Sequence, residues 1–263
     1  WRNTCNFACV YCDPQFSSVW AKFEGIPDKM TNKAMDETYN FVKQNIKKLK
    51  TIYMAGGEPF LIKENLKIID LIKTENPDLL LRINTNLSIL TPKLYEQLKT
   101  LKNVHWIVSA ESTGAKFNYI RWPGKYQILV SNLKKIQQLP HKVTINMTWN
   151  IFCAANILEF IDDMIKHGLH PNQFVMNFVS DPIEQSVLNI TKKQRDTLVE
   201  TVTQRKAKTS REFFLYKVYD EMLEILNQTL LDTHETTLYN TLMDLDAKRK
   251  LNSKEVFPEL YER

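Results

Sequence analysis

The chain has 263 residues, a net charge of +5 and four cysteines, three of them within the first dozen positions. That length suits one large α/β domain or a domain with a helical appendage, and the ordinary hydrophobic content is enough to bury a core. No run of about eighteen apolar residues is present, so no membrane span is expected, and no secretory h-region appears in these residues. Three closely grouped cysteines do not make a disulfide framework, so the expected compartment is a reducing cytoplasm.

The chain opens on Trp1 with almost nothing before Cys5, and a strand carrying the cysteine loop is expected to precede it. Cys5, Cys9 and Cys12 form a C-x-x-x-C-x-x-C run. Three thiolates this close can ligate three irons of a [4Fe–4S] cluster and leave the fourth iron open for chemistry. Structural zinc usually takes four protein ligands, and the one other cysteine, Cys153, has no matching neighbour. A thioredoxin-like Cys9-x-x-Cys12 pair would open a helix, whereas Asp13-Pro14 interrupts the chain.

Next, Thr31 is expected to cap a helix running to about Leu49, with Met35, Tyr39, Val42, Ile46 and Leu49 on its apolar face. From there strands and helices alternate. Strands are expected at Thr51 to Met54, Leu79 to Thr85, Val104 to Ser109, Lys142 to Asn150 and Gln173 to Val179. Helices are expected at Leu61 to Thr74, Pro92 to Leu101, Tyr126 to Gln138 and Ile157 to His167. This pattern implies βαβ units and a parallel sheet; with the strand before Cys5 the count is about six units. Beyond Asp181-Pro182 the pattern turns helical, with helices from Thr191 to Lys206, Glu212 to Gln228 and Thr236 to Lys250. The predicted division is therefore 1–182 and 183–263. Basic pairs such as Lys134-Lys135 and Arg205-Lys206 fall on exposed helix faces, which disfavours a nucleic-acid role.

The segment Ile52-Tyr53-Met54-Ala55-Gly56-Gly57-Glu58-Pro59 is a short apolar strand running into a glycine pair. Together with the cysteine run it resembles the radical S-adenosylmethionine (SAM) superfamily. Phe117-Asn118-Tyr119-Ile120-Arg121, Ser17-Ser18-Val19-Trp20 and the tail Leu251 to Leu260 resemble SPASM/twitch-type members, phage-encoded ones included. The tail has no cysteine, so an auxiliary cluster there is not expected. The resemblance implies an α/β fold, a partial (β/α)6 TIM-like barrel with a helical C-terminal region. It implies that Cys5, Cys9 and Cys12 bind the [4Fe–4S] cluster and that SAM chelates the open iron. One electron then releases a 5′-deoxyadenosyl radical that abstracts a substrate hydrogen.

The same resemblance assigns Gly56, Gly57, Glu58 and Pro59 to the methionine amino end of SAM. Asn84 falls in Asn84-Thr85-Asn86, where relatives often read T-N-G, and Leu87 replaces that glycine. Ser109 and Arg121 are candidates for the SAM carboxylate, Asn146 for the ribose and Tyr11 for the adenine. Glu111 and Ser112 depart from the usual S-x-D-G pattern. The implied substrate is a peptide or protein side chain, with a nucleotide or small metabolite as the rival and flavodoxin or ferredoxin as reductant. A non-catalytic iron–sulfur electron-transfer or interaction protein stays open as a different class.

Overall fold

Alternation of β-branched and apolar runs with amphipathic segments builds the fold seen in the computed structural model, which describes residues 2–27, 32–231 and 235–261. The helix cap expected at Thr31 and the opening Trp1 lie outside the described residues. In chain order the elements are α1 (Ser18–Phe23), α2 (Asn32–Asn45), β1 (Thr51–Met54), α3 (Lys63–Glu75), β2 (Leu80–Thr85), α4 (Pro92–Lys99), β3 (Val104–Ser109), α5 (Gly114–Ile120) and α6 (Tyr126–Ile136). They continue with β4 (Lys142–Trp149), α7 (Asn156–Lys166), β5 (Phe174–Phe178), α8 (Lys192–Ala207), α9 (Phe214–Leu226), α10 (Glu235–Arg249) and α11 (Ser253–Val256). The strand order is β1-β2-β3-β4-β5, five strands among the described residues. The count of six had included a strand before Cys5.

Two compact units divide the chain. The first comprises Trp1–Ala8, Cys12–Ser109 and Pro123–Thr144. In it β1 pairs parallel with β2, Thr51 opposite Leu80, and β2 pairs parallel with β3, Leu81 opposite Val104. Leu81, Ile83, Trp106 and Val108 are fully buried, as are Ile69 and Leu98 on α3 and α4. Each such side chain contributes roughly 1.5–3 kcal/mol of burial. Thr91 caps α4 by accepting from the Leu94 N–H at 3.2 Å, and Pro92 follows at the first helical position, where its missing N–H costs nothing. On α2 only part of the expected stripe is buried: Met35 is sealed, Tyr39 and Val42 are half-covered, and the 3-10 turn Ile46–Lys48 buries Ile46.

The second unit comprises Cys9–Tyr11, Ala110–Trp122 and Ile145–Arg263. Ile145–Trp149 of β4 pairs parallel with Phe174–Phe178 of β5. Thr191 and Gln194 form a capping box that starts α8 at the residue the sequence indicates. The helical tail is anchored on α5: Phe257 is fully buried against Tyr119, ring centroids 5.0 Å apart at 87°. Tyr119 donates to Asp246 at 2.7 Å, and Arg249 donates to the Tyr119 carbonyl at 3.2 Å. The basic groups on α8 are neutralised locally, Arg205 by a two-pronged pair with Asp162 at 2.6 and 2.7 Å and Lys206 by Asp220. Among the described residues no helix is long and apolar enough to cross a membrane.

Candidate cofactor site

In the first unit, the start of the cysteine loop is braced by α1. Ser18 Oγ accepts from the Cys5 N–H at 3.0 Å and is 3.1 Å from the Cys5 carbonyl, while Ser17 donates to the Phe7 carbonyl at 2.6 Å and caps α1 at Trp20. The Phe7 N–H points at Cys5 Sγ, 3.4 Å away. Ser17-Ser18-Val19-Trp20, noted for resemblance alone, is thus the scaffold of Cys5. Trp20 is buried edge-on to Phe23, whereas Phe16 is 57% exposed.

Gly56 and Gly57 lie against the stretch just before Cys5. A Cβ on Gly57 would collide with the Thr4 carbonyl, and Gly56 has φ +112°, a conformation L side chains rarely adopt. The Glu58 N–H donates to the same Thr4 carbonyl at 2.7 Å. The Glu58 side chain turns inward. It is fully buried and accepts from Thr85 Oγ1 at 2.9 Å, the Asn86 N–H at 2.9 Å and the Phe60 N–H at 3.4 Å. Burial pushes its carboxyl up to about 7, against the pull of these three donors. Pro59 is buried in the 3-10 turn that follows.

Asn86 donates to Asn6 Oδ1 at 3.0 Å, and Asn6 donates to Ser88 at 2.9 Å, so β2's end is tied to the residue after Cys5. Leu87, in the slot where relatives often carry glycine, has φ +53°. That backbone costs roughly 1–2 kcal/mol, and the fully buried Leu87 side chain offsets it with a comparable or larger gain. The glycine-like turn therefore survives the substitution. Asn84 accepts from Ser109 Oγ at 3.2 Å, joining the ends of β2 and β3.

In the second unit, Arg121 closes α5 and forms a buried fork with Glu111. Arg121 Nε lies 3.0 Å from Glu111 Oε1 and Nη2 2.5 Å from Oε2, the two side chains being 5% and 0% exposed. Burial works against the charge on Arg121, but the Glu111 carboxylate outweighs it and holds the guanidinium protonated. Tyr11 donates to Glu111 at 3.1 Å, and the guanidinium lies 5.6 Å from its ring centre. Arg121 Nη1 is 4.0 Å from Cys9 Sγ. Val10, between Cys9 and Cys12, is held at both backbone groups: its N–H donates to the Ile120 carbonyl at 2.9 Å and its carbonyl accepts from Gln185 Nε2 at 3.0 Å. Asn146 accepts from Asn177 at 2.6 Å, and Ser112, fully buried, donates to Asn156.

Glu111, Gln185, Asn6 and Asn86 are the contributors that motif reading did not assign. Glu111 had a signal, since its departure from aspartate came with a nearby arginine. Gln185 had none. Cys153 is buried, its thiol pushed up by burial. Among the described residues no three Cys, His, Asp or Glu side chains converge as ligands of one ion; a [4Fe–4S] cluster instead takes one thiolate per iron. In the first unit, the thiol of Cys5 on a braced stretch, beside a glycine pair whose backbone is pressed against Thr4, suits one ligand of such a cluster next to an amino-acid-like ligand.

Parallel β/α architecture, a three-cysteine loop and a glycine-rich strand end define a protein built around an iron–sulfur cofactor. The model of the radical SAM superfamily matches residues 2–150, and the chain belongs to that superfamily. The cofactors of that superfamily are a [4Fe–4S] cluster and S-adenosylmethionine. GTP 3′,8-cyclase from Campylobacter lari is 34% identical over 87 residues, 33% of this chain and 25% of that protein. The same enzyme from Sulfurimonas denitrificans is 33% identical over 87 residues with the same coverage. The chain thus spans about a quarter of the length of these curated relatives. Among solved structures, anSMEcpe with bound AdoMet superposes with a TM-score of 0.55 at 14% identity, over 78% of this chain and 56% of that one. SuiB from Streptococcus suis bound to its precursor peptide SuiA gives 0.54 at 16%, over 83% and 49%. At these identities the likeness is one of fold, the partial TIM-like barrel with a helical C-terminal region.

Proposed function

We propose that this chain reductively cleaves SAM at a [4Fe–4S] cluster held by Cys5, Cys9 and Cys12, and that it acts on a peptide or protein substrate. The observation that carries the reading is the packing of Gly57 and the Glu58 N–H onto Thr4, which joins the glycine motif to the cysteine loop with no room for a side chain between. When bound, cluster and SAM together supply a 5′-deoxyadenosyl radical able to abstract a substrate hydrogen.

The chain's own residues bind and orient. The backbone of Gly56, Gly57, Glu58 and Pro59 receives the methionine amino group, and Glu58 acts from behind by fixing Thr85 and Asn86. Ser109 and Arg121 receive the carboxylate; Arg121 brings a permanent charge because Glu111 keeps it protonated in a buried setting. Asn84 and Asn146 offer polar groups to the ribose, and Tyr11 its ring to the adenine. A flavodoxin or ferredoxin in the cytoplasm is the proposed electron source.

The peptide reading draws on SuiB, crystallised with a precursor peptide, and on anSMEcpe, crystallised with the Cp18Cys peptide. A nucleotide is the second reading, favoured by the identity shared with the GTP 3′,8-cyclases. The test is anaerobic cluster reconstitution, dithionite reduction and chromatography for 5′-deoxyadenosine. Formation by the native chain and its loss in Cys9→Ala is the expected result. Absence of 5′-deoxyadenosine from a chain carrying a full cluster would favour the electron-transfer or interaction class.

A further inference from the structure

One face of the sheet in the first unit is sealed by Leu81, Ile83, Trp106 and Val108. The residues alternating with these point to the other face, where Tyr53 is 54% exposed and Arg82 and Lys142 are also exposed. Parallel register sets Tyr53 opposite Arg82 and Arg82 opposite His105. The Arg82 guanidinium lies 5.4 Å from the Tyr53 ring centre, and His105 Nε2 is 2.8 Å from Thr144 Oγ1. Lys142 is two residues before Thr144 on the same strand, so it projects from the same face. Three adjacent strands, β2, β3 and β4, thus present an arginine, an imidazole, a hydroxyl and a lysine in one patch.

The patch is basic and uncompensated. Neither Arg82 nor Lys142 joins an ion pair among the described residues. Burial, followed by the charges of Lys142 and Arg82, pushes the His105 imidazole down to about 4, and no carboxylate pulls it back. Arg82 on β2 and Lys142 on β4 flank His105 of β3, and an anion bound between the two cations would offset their mutual repulsion. The row lies two residues before Asn84 on β2, about 7 Å along the strand, within reach of a small molecule extending from the β2–β3 end.

We propose that Arg82, Lys142, His105 and Thr144 form a seat for an oxyanion, a carboxylate or phosphate group, carried by the substrate. The name substrate rests on the enzymatic reading above; the anion site does not. Arg82 offers a planar fork, Lys142 a point charge, and His105 and Thr144 complete the donor set.

The test uses the reconstituted, oxidised holoprotein at constant ionic strength, titrated calorimetrically with inorganic phosphate and separately with succinate. Saturable binding is expected, accompanied by a rise in the His105 titration followed through its imidazole resonance. Arg82→Gln with Lys142→Gln is expected to weaken binding by about tenfold or more and leave SAM cleavage without substrate intact. Preference for phosphate points to a nucleotide-like substrate, preference for succinate to a peptide carboxylate. No saturable heat, or equal binding by the double variant, would overturn the site. Failure of SAM cleavage with intact anion binding would instead strike the enzymatic reading.

Discussion

Glu58 and Glu111 are both completely buried, yet they are held in opposite ways. In the first unit Glu58 meets three neutral donors and no cation, and burial lifts its carboxyl to about 7. In the second Glu111 meets Arg121 through a two-pronged pair and Tyr11 through a hydrogen bond. One carboxyl can give up its charge near neutrality; the other stabilises a permanent cation beside Cys9. A buried acid therefore says little about a site until its partners are known.

Removing the cation or its partner is expected to produce the largest effect. Glu111→Gln leaves Arg121 buried without a counter-charge and is expected to cost about 3–5 kcal/mol in urea unfolding. A loss under about 1 kcal/mol would show that the pair is solvated and the contrast false. Next in size is a pH effect in the first unit. Because Glu58 is raised above its ordinary 4.5 to about 7, the folded state binds its proton more tightly than the unfolded state. Its contribution is complete at acid pH and is lost as pH rises through roughly 4.5 to 7, by about 3 kcal/mol at most. Subtracting the profile of Glu58→Gln from that of the native chain isolates this slope; a flat difference would show that the carboxyl stays ionised.

Gly57→Ala should cost about 1–3 kcal/mol, since the new methyl must displace the Thr4 carbonyl. The displacement should also lower iron retained per chain after reconstitution, and unchanged iron content would argue that the two motifs are not mechanically joined. The smallest effect is expected for Gln185→Leu. It removes the donor to the Val10 carbonyl, about 1 kcal/mol, but also removes Oε1, which is buried with no hydrogen-bond partner among the described residues. A small stability change with faster cluster loss under chelator would mark Gln185 as a positioning residue for the loop.

Much of this was legible in the sequence because periodicity and caps are local. The β1 and β3 limits match the expected ones, and Thr191 announced the start of α8. Cofactor chemistry was legible because spacing fixes which thiols lie on one loop. The partners were not, since they come from far along the chain: Gln185 and Val10 are separated by 175 positions, Asn6 and Asn86 by 80. Leu87 was legible as a departure from glycine but not in its consequence, because only the structure shows that its burial offsets a left-handed backbone. The inward turn of Glu58 was likewise hidden, as motif position does not reveal the direction of a side chain.

The central claim is that the three cysteines hold a cluster with an iron open to SAM. The most direct measurement is the electron paramagnetic resonance spectrum of the dithionite-reduced, reconstituted chain before and after SAM is added. A [4Fe–4S]+ signal whose g-values shift with SAM, and which is lost in Cys9→Ala, is the predicted result. A cluster signal unchanged by saturating SAM would contradict it.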